Sequence, residues 1–405
     1  MTRSARLGAA LLLLAPLLAA GGGDDGAAAP AAPARDAEAL RAERLALQRT
    51  RCDELAAAVD QFGHLDTFAG AARQLLTRVD ERFVAVRDGV FTDIALENWL
   101  DWNEPRQGGP VLPSLDTEAT DHPYRAIVEL NRELRARGID FLLVSFPTRP
   151  SLYPELALDL PSMTGFAGFC PATPRFARAL IDAGVEVLYL APEFVAERYG
   201  VAPDGTGTDT ADQLFLRYNQ HWTPRGAELA ARKVAEYVAG YPWFERGPGK
   251  EGTDFTLRTK DVEVAIVWGG TPKGAKPERC KATQVLPRPG RRLDSVRPSS
   301  PIVLLSGSFA DFHMVSSADF TAQLYRHTGW PVDKVNPKGG IEDACRVALS
   351  QKSEADWKRK KLVIWMVAEQ AFKRGQPWRP IPIFGRTDPA ADPARGNDGG
   401  AGDGR

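Results

Sequence analysis

Short apolar segments alternate with helical segments along most of this chain, and this alternation is the strongest constraint on its fold. Apolar runs predict strands at residues 139–146, 185–190, 262–268, 301–305 and 362–367. Helical spacing and capping residues predict helices at residues 37–59, 122–137, 174–183, 223–238, 317–328 and 341–350. Strands that alternate with helices form parallel sheets covered on both faces. We therefore expect a three-layer α/β fold with a mostly parallel sheet, whose chemistry lies at the carboxyl ends of the strands.

The two ends of the chain have different compositions. Arg3 and Arg6 precede a short apolar run interrupted by Pro16, which is typical of a secretory signal, and residues 1–21 are interpreted as a signal peptide. An uncleaved membrane anchor is the alternative. Residues 22–36 and 386–405 are rich in Gly, Ala, Pro and Asp, so we expect a disordered linker and a disordered tail. Residues 37–385 then form one large domain with a helical N-terminal extension.

The charge balance excludes one class of function. The chain has 51 basic and 52 acidic side chains, so it lacks the excess of Lys and Arg typical of a protein that binds nucleic acid. No cluster of His, Cys and carboxylates has metal-ligand spacing, and neither a metal nor a cofactor is expected.

Two segments place reactive side chains next to a strand or a helix. Ser308 follows the apolar strand at residues 301–305, where backbone N–H groups can stabilise an oxyanion. His221 stands just before the helix capped by Thr223, which is a suitable place for a general base. Both residues also have a purely structural interpretation. The serine can be an ordinary turn residue, and the histidine can be a partly buried side chain that is hydrogen-bonded to a carbonyl.

The segment 306–309, Ser-Gly-Ser-Phe, resembles the G-D-S-F nucleophile block of SGNH-type hydrolases. The segment 219–222, Asn-Gln-His-Trp, resembles their D-x-H-W block. The histidine block precedes the serine block, and this permuted order is similar to that of the alginate O-acetyltransferase family of periplasmic polysaccharide-acetylating proteins. Weaker matches to this family lie at residues 87–91, 146–154 and 362–365. The resemblance implies an SGNH hydrolase-like fold and an acyl-transfer activity.

Carried over from this family, Ser308 is the nucleophile and His221 is the base that activates it. The third member of the triad is an aspartate in the family, but this chain has Asn219 at that position. An amide lacks the charge that stabilises an imidazolium, and it can select the wrong imidazole tautomer. The substitution leaves open a slow enzyme, an enzyme whose acid comes from elsewhere in the fold, or a binding protein without the chemistry.

Further candidates complete the predicted site. The backbone N–H of Ser308 is the first candidate for the oxyanion hole, with Gly339 and Gly340 as second contributors or as a plain turn. Arg149, Tyr153 and Trp222, which lie in the matched motifs, are candidates for substrate binding. Residues 271–297 have eight basic and two acidic side chains. This segment is interpreted as a solvated loop, or as a basic lip that attracts a polyanionic polysaccharide.

The resemblance implies an exported O-acetyltransferase that acts on an extracellular polysaccharide through an acetyl-serine intermediate. It also implies a membrane-bound O-acyltransferase as the partner that delivers the acetyl group. The alternatives are an acetylesterase, or a weakly active or inactive component that binds polysaccharide in an export complex. The expected location is periplasmic or secreted, with tethering by an uncleaved N-terminal segment as an alternative. Export makes disulfides reasonable, and we expect Cys52 to pair with Cys280 and Cys170 with Cys345.

Overall fold

The computed structural model describes residues 36–60, 65–78, 83–86, 89–92, 96–97, 100, 122–156, 170, 172–198, 213–264, 277–337, 343–372, 378–379 and 381–384. The predicted signal peptide, nearly all of the predicted linker and the predicted tail lie outside these residues. Within them, no helix combines the length and the apolar character needed to cross a membrane.

A five-stranded parallel sheet forms the centre of the fold. Its order is β4-β3-β9-β7-β8, and each neighbouring pair is parallel. The strands are β3 (Asp140–Phe146), β4 (Glu186–Tyr189), β7 (Ile302–Leu305), β8 (Asp333–Val335) and β9 (Leu362–Ala368). Two antiparallel hairpins stand apart from this sheet, formed by β1 (Phe83–Val86) with β2 (Gly89–Thr92) and by β5 (Phe255–Val264) with β6 (Glu278–Pro287).

Helices connect these strands, and their ends carry the capping residues expected from the sequence. The helices are α1 (Ala37–Asp60), α2 (Leu65–Leu76), α3 (Pro123–Ala136), α4 (Arg149–Leu152), α5 (Ala172–Asp182), α6 (Ala191–Glu197), α7 (Pro224–Val238), α8 (Phe320–Thr328), α9 (Asp343–Ser350) and α10 (Glu354–Trp357). His122 caps α3 by accepting a hydrogen bond from the backbone N–H of Tyr124. Gly138 follows this helix with a φ of 68°, which a residue with a side chain rarely adopts.

The central sheet buries both of its faces. Along β9, Trp365 and Val367 belong to an apolar cluster with residues of α1, α3, α5 and α9. Ile364 and Met366, which alternate with them, belong to a second cluster with residues of α6, α7 and α8. Because successive side chains of a strand point to opposite faces, these clusters are the two cores of a three-layer sandwich. The predicted α/β class with a mostly parallel sheet is therefore confirmed.

One predicted strand does not belong to this sheet. The apolar run at residues 262–268 begins inside β5, whose partner β6 is antiparallel. Cross-strand pairs such as Asp261 with Lys281 and Glu263 with Arg279 place opposite charges side by side on the exposed part of this hairpin. The prediction of a solvated loop at residues 271–297 is also wrong, because β6 occupies its centre.

The N-terminal helix α1 is attached to the domain through a buried carboxylate. Glu186 begins β4 and is 2% exposed. It accepts hydrogen bonds from Arg44, Tyr237 and Tyr241. The charge of Arg44 balances that of Glu186 within the interior, which the burial of a carboxylate requires.

All four cysteines lie among the described residues and are free thiols, so the expected disulfide pairing is wrong. Cys52, Cys170 and Cys345 lie in the apolar cluster around Trp365, whereas Cys280 lies in a separate cluster with β5. Burial raises the pKa of both Cys52 and Cys280 to about 12, so these thiols stay protonated. The positions of the four cysteines are therefore explained by their packing as small apolar side chains in these clusters.

Candidate active site

His221 lies on a tight loop that is closed by backbone hydrogen bonds. The N–H of Leu216 donates to the carbonyl of His221, and the N–H of Thr223 donates to the carbonyl of Leu214. At the tip of the loop, the backbone N–H groups of Arg217 and Tyr218 donate to the carboxylate of Glu278 on β6. The hairpin therefore helps to hold the histidine loop in place.

The helix α7 begins directly after this loop. The Thr223 hydroxyl accepts a hydrogen bond from the N–H of Gly226, and Pro224 occupies the first turn. The approach of loop and helix leaves no space for a side chain at Gly226. A Cβ atom there would overlap the carbonyl oxygen of Leu214 and lie 2.8 Å from the Cβ of Trp222. The small residue is thus required by the close packing behind His221.

Replacing Gly226 with alanine is expected to lower the free energy of unfolding by about 1–3 kcal/mol, because backbone atoms must move to admit the added methyl group. Urea unfolding followed by circular dichroism measures this effect. Gly70→Ala is the matched control. A Cβ at Gly70, inside α2, meets nothing within 4 Å, so this change is expected to raise the stability by about 0.5–1 kcal/mol. Equal effects of the two substitutions would contradict the packing argument.

Ser308 lies just beyond the carboxyl end of β7, on a turn that precedes the helix predicted at residues 317–328. Two short 3-10 segments, Ser308–Ala310 and Met314–Ser316, follow the strand. Ser317 has a left-handed backbone with a φ of 53°, and α8 begins only at Phe320 after the cap of Asp319. The Ser308 residue is exposed. The turn therefore presents its hydroxyl at the edge of the sheet.

The structure brings together Ser308, His221 and Asn219. The Ser308 Oγ lies 2.8 Å from the Nε2 of His221. The Nδ1 of His221 lies 2.6 Å from the Oδ1 of Asn219. In the described part of the chain, this amide oxygen is the hydrogen-bond partner of Nδ1, and no carboxylate takes that place. The order of contacts is that of a serine triad in which the acid is replaced by an amide.

The orientation of the Asn219 amide follows from a second contact. The backbone N–H of His221 donates to the same Oδ1 over 3.1 Å, so the oxygen, not the NH₂ group, must face the imidazole. His221 therefore carries its proton on Nδ1 and leaves Nε2 free to accept the proton of Ser308. Asn219 selects the tautomer that a base needs, but it supplies no negative charge. The expected tautomer problem does not arise in this geometry.

The surroundings of His221 strongly favour its neutral form. The residue is 2% exposed. Burial, together with the nearby charge of His313, lowers the pKa of His221 from 6.5 to about 3. The imidazole is thus unprotonated at neutral pH, but formation of the imidazolium is costly.

Sequence reasoning missed two residues that contact the histidine block. Phe312 stacks on the ring of His221, with 4.1 Å between the centroids and 8° between the planes. His313 donates from Nε2 to the carbonyl of Trp222 over 2.8 Å, which ties the serine turn to the histidine loop. The sequence offers one signal for them, because they follow the candidate nucleophile Ser308 by four and five residues. Their contact with the histidine loop, however, depends on the 3-10 turns after β7.

The three candidates for substrate binding are buried. Arg149 is 2% exposed. Burial raises the pKa of Glu278, and the charge of Arg149 acts in the opposite direction. The Tyr153 hydroxyl donates to the carbonyl of Arg198 and accepts from the N–H of Leu214. Trp222 packs against Phe146, Phe309 and Phe320. These positions support the site from within, and contact with a substrate stays a prediction.

The last points about the site concern the two glycines expected in the oxyanion hole and the residues that could bind a metal ion. Gly339 and Gly340 lie outside the described residues, so their place in an oxyanion hole stays a prediction. Among the residues that are described, His, Cys, Asp and Glu form no group of three that could hold a metal ion.

Comparisons with known proteins identify the family that the chain matches. A family model described as an SGNH hydrolase-like domain of the acetyltransferase AlgX matches residues 111–369. The chain is 30% identical over 144 residues to an alginate biosynthesis protein AlgX of Pseudomonas putida. It is 29% identical over 177 residues to a probable alginate O-acetylase AlgJ of Pseudomonas fluorescens. These matches cover 34% and 40% of this chain, but only 28% and 41% of the two relatives.

Among solved structures, the O-acetyltransferase domain of Pseudomonas putida AlgJ is similar to 72% of this chain, and the match covers 91% of that domain. The sequence identity is 16% and the TM-score is 0.45. A structure of Pseudomonas aeruginosa AlgX matches 71% of this chain and 61% of its own, with 20% identity and a TM-score of 0.45.

Proposed function

The chain belongs to the family of SGNH hydrolase-like domains described for the acetyltransferase AlgX, and we propose that it transfers acetyl groups to the hydroxyls of an exported polysaccharide. The observation that carries this proposal is the contact of 2.8 Å between Ser308 Oγ and His221 Nε2. A serine within hydrogen-bond reach of an unprotonated imidazole, which is itself oriented by a third group, is the arrangement that nucleophilic acyl transfer requires. The exposed position of Ser308 supports access of a donor.

The first half of the proposed reaction forms an acetyl-serine ester. Ser308 Oγ attacks the carbonyl carbon of the acetyl donor while its proton passes to His221 Nε2. The bond to the leaving group then breaks, and the imidazolium returns its proton to that group. The backbone N–H of Ser308 is the proposed first donor to the oxyanion.

The second half transfers the acetyl group to the acceptor. A sugar hydroxyl loses its proton to His221 Nε2 and attacks the ester carbon, and the Ser308 oxygen leaves with the proton returned by the imidazolium. Attack by water instead of a sugar would give acetate, so the same machinery in an acetylesterase differs only in its acceptor. His221 is transiently protonated in each half.

The relatives suggest the partners of this reaction. Two curated relatives are named for alginate, and we propose an anionic polysaccharide of this kind as the acceptor. By analogy with the family, a membrane-bound O-acyltransferase delivers the acetyl group. The basic and apolar N-terminal segment supports export to the periplasm or the exterior.

The second candidate function is a polysaccharide-binding component with little or no catalysis. The observation that favours it is Asn219, which leaves the Nδ1 of His221 without a carboxylate in the described structure. A buried imidazole with a low pKa and no nearby anion is a poor acceptor of the proton of Ser308. The intact contact between Ser308 and His221 favours the enzyme.

Trapping of the intermediate separates these two functions. The purified chain is mixed with 4-nitrophenyl acetate, quenched in acid within its first turnovers, and digested for mass spectrometry. We expect a single acetyl group on the peptide that contains Ser308, and we expect it to disappear faster when alginate oligosaccharides are added. Absence of this adduct under saturating donor would support the binding function. Disappearance at a rate independent of sugar would indicate the acetylesterase.

A further inference from the structure

Two aromatic rings contact the imidazole of His221 at distances where their electrostatic fields act on it. The ring of Phe312 lies parallel to the imidazole, with 4.1 Å between centroids. The ring of Phe309 lies at 4.6 Å and is tilted by 41°. A parallel stack presents the face of the Phe312 ring to the histidine, and this face carries the negative side of the ring quadrupole.

The proposed reaction makes a cation at this place twice. A carboxylate at residue 219 would stabilise the imidazolium by its charge, whereas the amide of Asn219 offers only a dipole. A cation within about 6 Å of the centroid of an aromatic ring is stabilised, and most strongly where water is excluded. His221 meets both conditions because it is 2% exposed.

The Phe312 ring is held against His221 by its own surroundings. It packs against an apolar cluster that includes Val262, Cys280 and Ala318. The turn that carries it is fixed by the hydrogen bond from His313 to the carbonyl of Trp222. These contacts on both sides limit the freedom of the stack to open.

The other titratable groups on the elements packed against His221 do not supply the missing anion. On the serine turn, His313 is buried and acts to lower the pKa of His221. Asp311 forms an ion pair of 2.6 Å with Lys334 and accepts a hydrogen bond from Asn336. On the hairpin, Glu278 accepts the two N–H groups of the histidine loop.

We propose that Phe312 stabilises the imidazolium of His221 through the face of its ring and thereby replaces part of the charge that the missing carboxylate would supply. Phe312 is then a positioning and electrostatic residue that acts through the base. This inference rests on the proposed acetyl transfer for its place in catalysis, but the effect on the imidazolium exists with or without that activity.

Fluorination tests the proposal without changing the shape of the side chain much. Phenylalanine at position 312 is replaced by its monofluoro, trifluoro and pentafluoro derivatives, which progressively weaken and then invert the quadrupole. We expect kcat for acetyl-ester turnover to fall with each step and to reach about one thirtieth of the wild-type value, the size of a cation–π contribution in a dry site. Phe312→Leu, which removes the ring but keeps an apolar side chain, is expected to lower kcat similarly.

A second measurement does not depend on activity. This measurement uses the Asn219→Asp chain, whose added charge is expected to raise the pKa of His221. The imidazole is titrated by NMR in two versions of this chain, one with phenylalanine and one with pentafluorophenylalanine at position 312. We expect fluorination to increase the acid dissociation constant of the imidazolium by about thirtyfold. The same fluorination at position 255, where the ring contacts Tyr325, is the matched control and is expected to change neither measurement.

The outcomes separate this proposal from the proposed function. A titration that is insensitive to fluorination at position 312 overturns the role of Phe312, even if the chain transfers acetyl groups. A titration that responds, in a chain that forms no acetyl adduct on Ser308, supports the electrostatic effect and overturns the acetyl transfer.

Discussion

Ser308→Ala is expected to lower kcat for acetyl-ester turnover by a factor on the order of 10⁴ to 10⁶, the loss found when a triad serine is removed. The physical reason is the absence of a substitute in the neighbouring sequence. Ser306 lies two residues earlier, but it is 0% exposed and its hydroxyl has no hydrogen-bond partner in the described structure. Neither donor nor base reaches it. The measurement is the steady-state release of 4-nitrophenol, with correction for the uncatalysed reaction.

Ser306→Ala is the matched control for this experiment. It removes a buried hydroxyl that forms no hydrogen bond, so kcat is expected to stay within about twofold of the wild type and the stability to stay equal or to rise. Turnover by Ser308→Ala at a rate near that of the wild type would contradict the proposed nucleophile. A large loss in Ser306→Ala would show that the effect comes from disturbance of the turn.

The sequence predicted the parallel sheet because its strands are buried on both faces. Segments such as Asp140–Phe146 and Leu362–Ala368 are nearly continuous apolar runs, which distinguish central parallel strands from half-exposed ones. The helix from Pro224 was predictable from local chemistry, because Thr223 and Pro224 determine its start within one turn. Both signals lie within a few neighbouring residues.

Features that depend on distant contacts were not predictable in the same way. The β8 strand, Asp333–Val335, has only three residues and exists because β7 lies beside it. The hairpin of β5 and β6 contains ten residues in each strand, but charged side chains interrupt its apolar pattern. The free cysteines show the limit of reasoning from export to disulfides, since their burial in apolar clusters explains them equally well.

The candidate site shows the same division. Motif resemblance identified Ser308 and His221, and the structure places these side chains 2.8 Å apart although 87 residues separate them. Phe312 could not be identified, because its contact with His221 depends on how the turns after β7 fold back onto the histidine loop.

Asn219→Asp is expected to raise kcat by about two orders of magnitude. In a serine protease the reverse change costs about 10⁴-fold, but part of that loss comes from the wrong tautomer. Here the backbone N–H of His221 already holds the amide oxygen toward Nδ1, so only the charge is missing. The substitution breaks no described hydrogen bond, because the Nδ2 of Asn219 is buried without a partner among the described residues.

The pH profile gives this substitution a second signature. In the wild type, burial and His313 lower the pKa of His221 to about 3, so kcat/KM is expected to stay level as the pH falls to about 4. The added carboxylate favours the imidazolium and raises the pKa of His221. The activity of the variant is therefore expected to decline at a higher pH than that of the wild type, as protonation removes the base.

The stability of the chain has to be measured at the same pH values, because the low pKa of His221 makes the free energy of unfolding depend on pH. The folded chain binds this proton less readily than the unfolded chain, whose histidines titrate near 6.5. The stability due to the neutral imidazole is thus present above about pH 6.5 and is lost as the pH falls toward 3. Circular dichroism at each pH identifies the range in which both chains are folded, and only rates from that range are compared.

Asn219→Ala separates the charge of the new side chain from its hydrogen bonds. This variant leaves the Nδ1–H and the backbone N–H of His221 buried without their acceptor, so kcat is expected to fall below the wild-type value. A gain with aspartate and a loss with alanine would show that the site has the geometry of a triad and lacks only its charge. If aspartate brings no gain while the acid side of the profile moves as expected, proton acceptance does not limit the reaction, and the missing carboxylate at residue 219 does not weaken catalysis.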